Sequence, residues 1–409
     1  MHLRFTTAGE SHGKALVAIV EGLPAGLPIT ADAVDRDLAR RMMGYGRGAR
    51  MKIERDRIEW LAGVRNGETL GSPVAMLIAN RDWANWEDVM AAEGTPGGLR
   101  RRRVTRPRPG HADLAGVLKY DRVDARDILE RASARETTAR VAAGALARRL
   151  LDEFGVEVGS HVVSLGGVRA APPAELPSPL NEAADRSEIR VLDPAVEAEI
   201  IGRIDRAKKE GDTLGGEVEI VARGVPVGLG SHVSWDRKLD GRLAGMLMSI
   251  PAVKGVEIGL GFEAARRPGS QVHDPIDADP PGTAPRGGDA RAGFQRRSNN
   301  AGGLEGGITT GEPLRVRVAM KPISTLMSPL PTVDLTSGGP ASAQSERSDV
   351  TAVPAMGVIA EALVALVVAD AMLEKFGGDS LGEMKRNVSG YLAALGERWR
   401  ALRAEAAPD

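Results

Sequence analysis

Along this chain the spacing of apolar positions switches repeatedly between two and about three and a half residues, and the switches predict the elements. Residues 3–7 and 15–21 read as strands, the second rich in β-branched side chains, and 58–61 and 74–78 read as two more, the latter after Gly71-Ser72-Pro73. Between them Val34, Leu38, Ala39 and Met42 recur at helical spacing over 31–43, with Thr30 as N-cap and Gly44 as stop signal. The Ala-, Leu- and Arg-rich stretch 125–154 predicts one long helix closed by Gly155, which would set Arg131 and Arg135 on one face. Strand character returns over 156–168, 217–227, 253–258 and 314–321, with helices predicted over 193–210 and 237–248. A polar helix over about 384–406 would pack on the surface or on a neighbour. Residues 266–297 have no apolar period and the Pro, Gly, Asp and Arg content of a mobile loop, a candidate lid. This mixture predicts an α+β fold with largely antiparallel sheets.

The longest apolar stretch, 355–373, is about long enough to span a bilayer. Glu361 and Asp370 interrupt it, so it reads as a buried helix and no membrane is expected as a partner. Acidic and basic residues number 55 and 54, a balance that points away from nucleic acid and anionic membranes. With 5 Trp, 3 Tyr and 5 Phe, the chain also lacks the aromatic residues of a stacking platform for single strands. The absence of cysteine excludes disulfides, thiolate metal sites and cysteine nucleophiles. It agrees with a reducing compartment, and the residues at 1–5 lack the apolar run of a secretory signal, so a cytoplasmic location is expected.

Local charge and histidine placement carry the chemistry. Two of six histidines lie in Gly/Pro-rich segments, Gly9-Glu10-Ser11-His12-Gly13 and Arg106-Pro107-Arg108-Pro109-Gly110-His111-Ala112-Asp113. Imidazole exchanges protons near neutral pH, and arginines suit anions, so the pair suggests proton transfer on a phosphorylated or carboxylated small molecule. The arginines at 100–103, 106 and 108 can equally form a solvated loop or a nucleic-acid tether. Residues 9–13 also match the G-x-S-x-G nucleophile elbow, which would make Ser11 the nucleophile of a serine hydrolase. That motif needs a following helix, whereas 15–20 reads as a strand, so a β-turn presenting Ser11 and His12 to a cleft is the better reading. The run Asn299 to Gly307 has glycines able to cradle a phosphate, without the spacing of a Walker or dinucleotide loop. Lys321-Pro322-Ile323-Ser324-Thr325 offers an ammonium and two hydroxyls to a phosphate or to flavin carbonyls. Arg41 and Arg47 flank Met42-Met43-Gly44-Tyr45-Gly46, and Arg347-Ser348-Asp349 adds a cation and a carboxylate. No metal-ligand spacing occurs, and no catalytic metal is expected; His2, His161, His232 and His273 are expected to be structural or superficial.

Taken in order, residues 9–13, Gly44-Tyr45-Gly46-Arg47-Gly48, 106–113, Arg131-Ala132-Ser133-Ala134-Arg135-Glu136, Lys254-Gly255-Val256-Glu257-Ile258-Gly259, 300–307, 321–325 and 347–349 closely resemble the chorismate synthase family. Gly211-Asp212-Thr213-Leu214-Gly215-Gly216 and Glu374-Lys375-Phe376-Gly377-Gly378-Asp379 extend the likeness almost end to end. The resemblance implies a single domain over 1–409, a sandwich of antiparallel sheets around central helices, and a homotetramer. It implies a lyase that makes chorismate and phosphate from 5-enolpyruvylshikimate 3-phosphate by a 1,4-elimination needing reduced FMN, with NADPH as a candidate reductant. Position by position, His12 would assist departure of the phosphate, His111 would protonate or stabilise the reduced flavin, and Ser11 with Asp349 would relay the substrate proton. Arg131, Ala132, Ser133, Pro251, Ala252, Gly306, Lys321, Pro322, Ile323, Ser324, Thr325 and Arg347 would hold the flavin. Arg41 and Arg47 match positions for the pyridine nucleotide or nearby anions, and Arg47, Arg131, Arg135 and Arg347 would meet the substrate's carboxylates and phosphate. Many relatives have an amide where Pro251 stands and a cysteine where Thr351 stands, so no thiol is needed.

Overall fold

A computed structural model describes residues 2–48, 55–94, 101–278, 293–345 and 349–405. Two antiparallel sheets enclose helices. The first contains β1 (Arg4–Ala8), β2 (Ala15–Glu21), β3 (Glu59–Ala62) and β4 (Val74–Ala79) in the order β1-β2-β4-β3, with Phe5 opposite Val20 and Val17 opposite Leu77. Alternation explains its orientation: Leu16, Ala18 and Val20 are fully buried while Ile19 is exposed. The second sheet contains β5 (Glu157–Leu165), β6 (Val168–Arg169), β7 (Gly216–Arg223), β8 (Val253–Ile258) and β9 (Leu314–Met320) in the order β8-β9-β7-β5-β6. In β9 Leu314, Val316, Val318 and Met320 point into the core, with Arg315 and Arg317 between them.

The helices are α1 (Ala31–Met42), α2 (Asp113–Lys119), α3 (Arg126–Ala132), α4 (Thr137–Asp152), α5 (Pro194–Glu210), α6 (Leu239–Met248), α7 (Val353–Phe376) and α8 (Leu381–Glu405). α4 packs on β1 and β2, α7 packs on β5 and β7, and the two helices cross between the sheets. Their crossing depends on small residues: a Cβ on Gly144 would stand 2.4 Å from Ala362 Cβ and 2.6 Å from its carbonyl oxygen. Thr30 caps α1, its hydroxyl accepting from Ala33 N at 3.3 Å, and Asp193 caps α5 in the same way through Ala195 N at 3.0 Å.

The apolar stretch long enough to span a membrane lies at the centre of the molecule, with 94% of its most apolar window buried. Its charges are satisfied internally. Each oxygen of the fully buried Glu361 carboxylate accepts from three donors: Oε1 from Arg40, Arg190 and Ser160, Oε2 from Arg40, Arg148 and Asn181, all at 2.6–3.2 Å. Burial alone would raise this carboxyl, but the three guanidinium groups hold it far below the usual range. Asp370 accepts from Leu3 N at 2.7 Å and pairs with Arg242, anchoring β1.

Two expectations change. The helix predicted over 125–154 breaks at Ser133, where ψ is 143° and the side chain accepts from Arg135 N; a 3₁₀ turn, Ala134–Glu136, then leads into α4. Arg131 and Arg135 therefore do not share a helix face. In 266–297, expected to be a loop throughout, Ile276–Ala278 pairs with Phe294–Arg296, and 279–292 lie outside the described residues.

Candidate active site

A cavity of about 480 Å³ opens where the β1–β2 turn, the segment after α1, the Pro/Gly segment before α2, the break between α3 and α4, residues 250–252, residues 320–325 and the start of α7 meet. Ser11, His12, Arg41, Arg47, Arg108, His111, Ala132, Ser133, Arg135, Pro251, Ala252, Lys321, Ile323, Ser324, Thr325 and Asp349 face it; Leu129, Ile250, Met320, Ala355, Met356 and Ile359 add an apolar wall.

Both histidines are built alike. His12 directs Nδ1 at Glu130 Oε2 (3.0 Å), and its main-chain N–H donates to the same oxygen at 2.9 Å. Glu130, 2% exposed, also accepts from Arg126 Nη1 at 2.8 Å. Burial would raise the Glu130 carboxyl, but His12 and Arg126 keep it below its ordinary value. His111 directs Nδ1 at Asp113 Oδ1 (2.5 Å), and Arg108 donates to Asp113 through Nε (2.9 Å) and Nη2 (3.2 Å) and to Thr325 Oγ1 at 3.0 Å. Asp113, with no exposed surface, is likewise held well below the carboxylate range by His111 and Arg108 against the opposite pull of burial. The same turn closes at Gly110, whose φ of +76° favours glycine and whose carbonyl accepts from Lys321 Nζ at 2.6 Å. Burial, aided by Lys254, lowers the Lys321 ammonium.

The cations differ in how they are used. Arg135 is committed, bidentate through Nη1 on Asp56 (2.6 and 2.7 Å) and bonded to Asn80 Oδ1. Arg47 pairs with Asp349 at 3.0 Å, and Asp349 also accepts from Gly48 N at 2.6 Å. Arg41 donates from Nε to Thr137 Oγ1 (3.0 Å) and from Nη2 to the Ala134 carbonyl (2.9 Å), while its buried Nη1 makes no hydrogen bond among the described residues. Burial, with Arg47 and Arg135 adding to it, brings this guanidinium down to about 9.

Ser133 Oγ donates to Ser11 Oγ at 3.2 Å. The residues after Gly13 are the strand β2, so the nucleophile elbow considered for Ser11 is not formed. Three other expected ligands do not line this cavity among the described residues. Arg131 ties the first strand down, donating to the carbonyls of Gly9 and Thr7 at 3.1 and 2.8 Å, and borders a neighbouring groove of about 1290 Å³. Gly306 sits in the tight turn between Leu304–Glu305 and Ile308–Thr309, near His232, and among the described residues neither it nor Pro322 lines the cavity. Arg347 lies outside the described residues. Sequence reading gave no individual site role to Arg108, Asp113, Glu130, Asp56 or Thr137. The first two stood inside the Pro/Gly/His motif, and the four-residue spacing of Arg126 and Glu130 was the available signal for the third.

The chain matches the model of the family described as chorismate synthase over residues 3–373. It is 58% identical to chorismate synthase of Geobacter sulfurreducens, covering 95% of this chain and 98% of that one, and 58% identical to that of Streptomyces coelicolor, covering 96% and 98%. A crystal structure of a chorismate synthase superimposes with a TM-score of 0.76 at 44% identity, over 97% of this chain and 99% of the other. With sequence matched over residues 3–373 and fold over 97% of the chain, the chain belongs to the chorismate synthase family.

Proposed function

We propose that the cavity holding His12 and His111 is where this lyase removes phosphate and a proton from 5-enolpyruvylshikimate 3-phosphate, with reduced FMN bound beside the substrate. The observation that carries the reading is the convergence of two imidazoles, far apart in sequence and each backed by a buried carboxylate, on a cavity lined by Arg41 and Arg47. The residues fit a flavin. Leu129, Ile250, Met320, Met356 and Ile359 offer an apolar face to a planar ring, and Ser324, Thr325, Lys321 and the main chain of Ala252 offer polar contacts at its edge. When bound, reduced FMN supplies transient electron density to the breaking allylic C–O bond.

The chain's own residues do the rest. Arg41 and Arg47 bind the substrate's anionic groups; Arg41 Nη1 is a buried donor short of an acceptor, which an oxyanion would supply. His12 hydrogen-bonds the departing phosphate and gives it a proton as the C–O bond breaks. Asp349 and Ser11 take part in moving the proton lost from carbon. His111, fixed by Asp113, holds a proton at the edge where the flavin would lie, and the apolar wall excludes water.

The test is anaerobic. Protein with reduced FMN releases phosphate from the substrate and protein with oxidised FMN alone does not; failure to release phosphate under reducing conditions overturns the reading. His12→Ala and His111→Ala each lower turnover by roughly two to four orders of magnitude without loss of fold. Substituting NADPH for the chemical reductant tests whether Arg41 and Arg47 also serve a pyridine nucleotide. Assembly as a homotetramer belongs to the same reading: Trp235, Phe262 and Val233, 85%, 70% and 65% exposed, are apolar surface for a neighbouring subunit to cover. A sedimentation mass of four chains is expected.

A further inference from the structure

Beside the cavity, His12 is gripped on its edge and on its face. The edge contact comes from Glu130, whose Oε1 lies 3.1 Å and Oε2 3.0 Å from Nδ1, with Oε2 also accepting the His12 main-chain N–H. The face contact comes from Trp86, whose ring lies 3.8 Å from the imidazole, centroid to centroid, at 26° between planes. Trp86 is itself fixed, donating Nε1–H to Asp82 Oδ2 at 2.9 Å, with the guanidinium carbons of Arg102 and Arg126 at 4.7 and 5.1 Å from its centroid. Ser11 N donates to the Glu130 carbonyl at 2.9 Å, so one turn of α3 sets both the main chain and the ring of this segment.

We propose that Glu130 is a positioning residue for the elimination: it fixes the tautomer and ring orientation of His12, so that Nδ1 keeps a proton toward Glu130 and proton exchange with the substrate's phosphate falls to Nε2. The inference rests on the role given to His12 above. Three donors converge on this one side chain, the His12 main-chain N–H, His12 Nδ1–H and Arg126 Nη1–H. A carboxylate, which only accepts, satisfies all three, whereas an amide would turn its NH₂ toward at least one of them. Both carboxylate oxygens reach the ring, which an anchor for the main chain alone would not require.

The test compares Glu130→Gln, His12→Ala and the double variant as reduced-FMN enzyme, together with the His12 ring-nitrogen resonances of the flavin-free protein. Expected are a ten- to hundredfold fall in kcat for Glu130→Gln, on the scale at which partners of functional histidines act, little change in KM, and a double variant no slower than His12→Ala alone. The His12 signals, identified by their loss in His12→Ala, should pass from the Nδ1–H tautomer to a mixture. Wild-type kcat, an unchanged tautomer, or a loss that multiplies with that of His12→Ala overturns the proposal. If His12→Ala itself turns over at the wild-type rate, it is the role of His12 that fails. Should Glu130→Gln not fold, Glu130→Asp, which keeps the buried charge but withdraws it from the ring by one methylene, carries the same readouts.

Discussion

Two clusters of buried charge lie on either side of α1, and neighbouring residues serve them: Arg40 turns to Glu361 in the core, Arg41 to the cavity. The core cluster is centred on an anion whose every lone pair is engaged; Glu361 and Asp37 raise Arg40 and Arg148 above the ordinary arginine value, while burial and these two cationic neighbours bring Arg190, the third guanidinium, down to about 10. The cavity cluster is centred on cations; Arg41, under the same burial, is driven down to about 9. The difference lies in the acceptors: the Glu361 carboxylate takes six hydrogen bonds, whereas Arg41 Nη1 makes none among the described residues. A saturated carboxylate leaves nothing for a ligand to do, whereas a buried guanidinium with one nitrogen at 3.9 Å from its nearest carboxylate, Asp56, and without a hydrogen bond is costly in the empty protein and, on the proposed reading, is relieved when an anion arrives.

This contrast can be broken by substitution. The largest effect is expected from Glu361→Gln, which leaves three guanidinium groups facing a neutral amide: stability falls by roughly 3–5 kcal/mol, seen in denaturant melts, while turnover per folded molecule is retained. Arg41→Met should do the reverse. Turnover falls about a hundredfold or more, the scale for losing one preorganised donor to developing charge, and the melting temperature of the ligand-free protein stays level or rises. Equal loss of stability in both variants would erase the distinction between the clusters.

Acid titration sharpens it next. Glu361 and Asp113 have folded values depressed below their unfolded ones, so their stabilisation is complete at neutral pH and is lost as pH falls below the ordinary carboxyl values of 4.5 and 3.8. Melting temperature should hold steady down to that range and then drop, and Glu361→Gln should flatten the drop. The smallest effect is expected at Thr30, where removal of the N-cap hydroxyl in Thr30→Ala costs about 1 kcal/mol and loosens the helix that feeds both clusters. Circular dichroism and phosphate release would register it together.

Where local pattern decides structure, the sequence was legible. Strands 15–21 and 253–258, the cap at Thr30 and the helix over 193–210 follow from alternation and side-chain chemistry within a few residues. The break at Ser133 was not visible because every neighbour favours helix; only the serine's bond to Arg135 N and the tertiary fixing of Arg135 by Asp56 and Asn80 stop it. The same limit applies to the site. Its histidines and the Arg41/Arg47 pair stood out as motifs, but the bonds from Arg131 to Thr7 and Gly9 join residues too distant in sequence for any local pattern to show. The ring of partners around Glu361 comes from α1, α4, β5, the short helix Leu180–Ala184 and one loop, and no spacing rule joins them.

Because Arg40 and Arg41 are consecutive, α1 works like an indexed shaft: its rotational phase decides which guanidinium meets the core and which meets the ligand. An insertion or deletion of one residue between Thr30 and Arg40 would turn the shaft by about 100°, presenting neither arginine to its proper counterpart. Length variation among descendants of this chain should therefore collect in surface loops and be absent from that short helix, even at its exposed positions, where side-chain identity is free to drift.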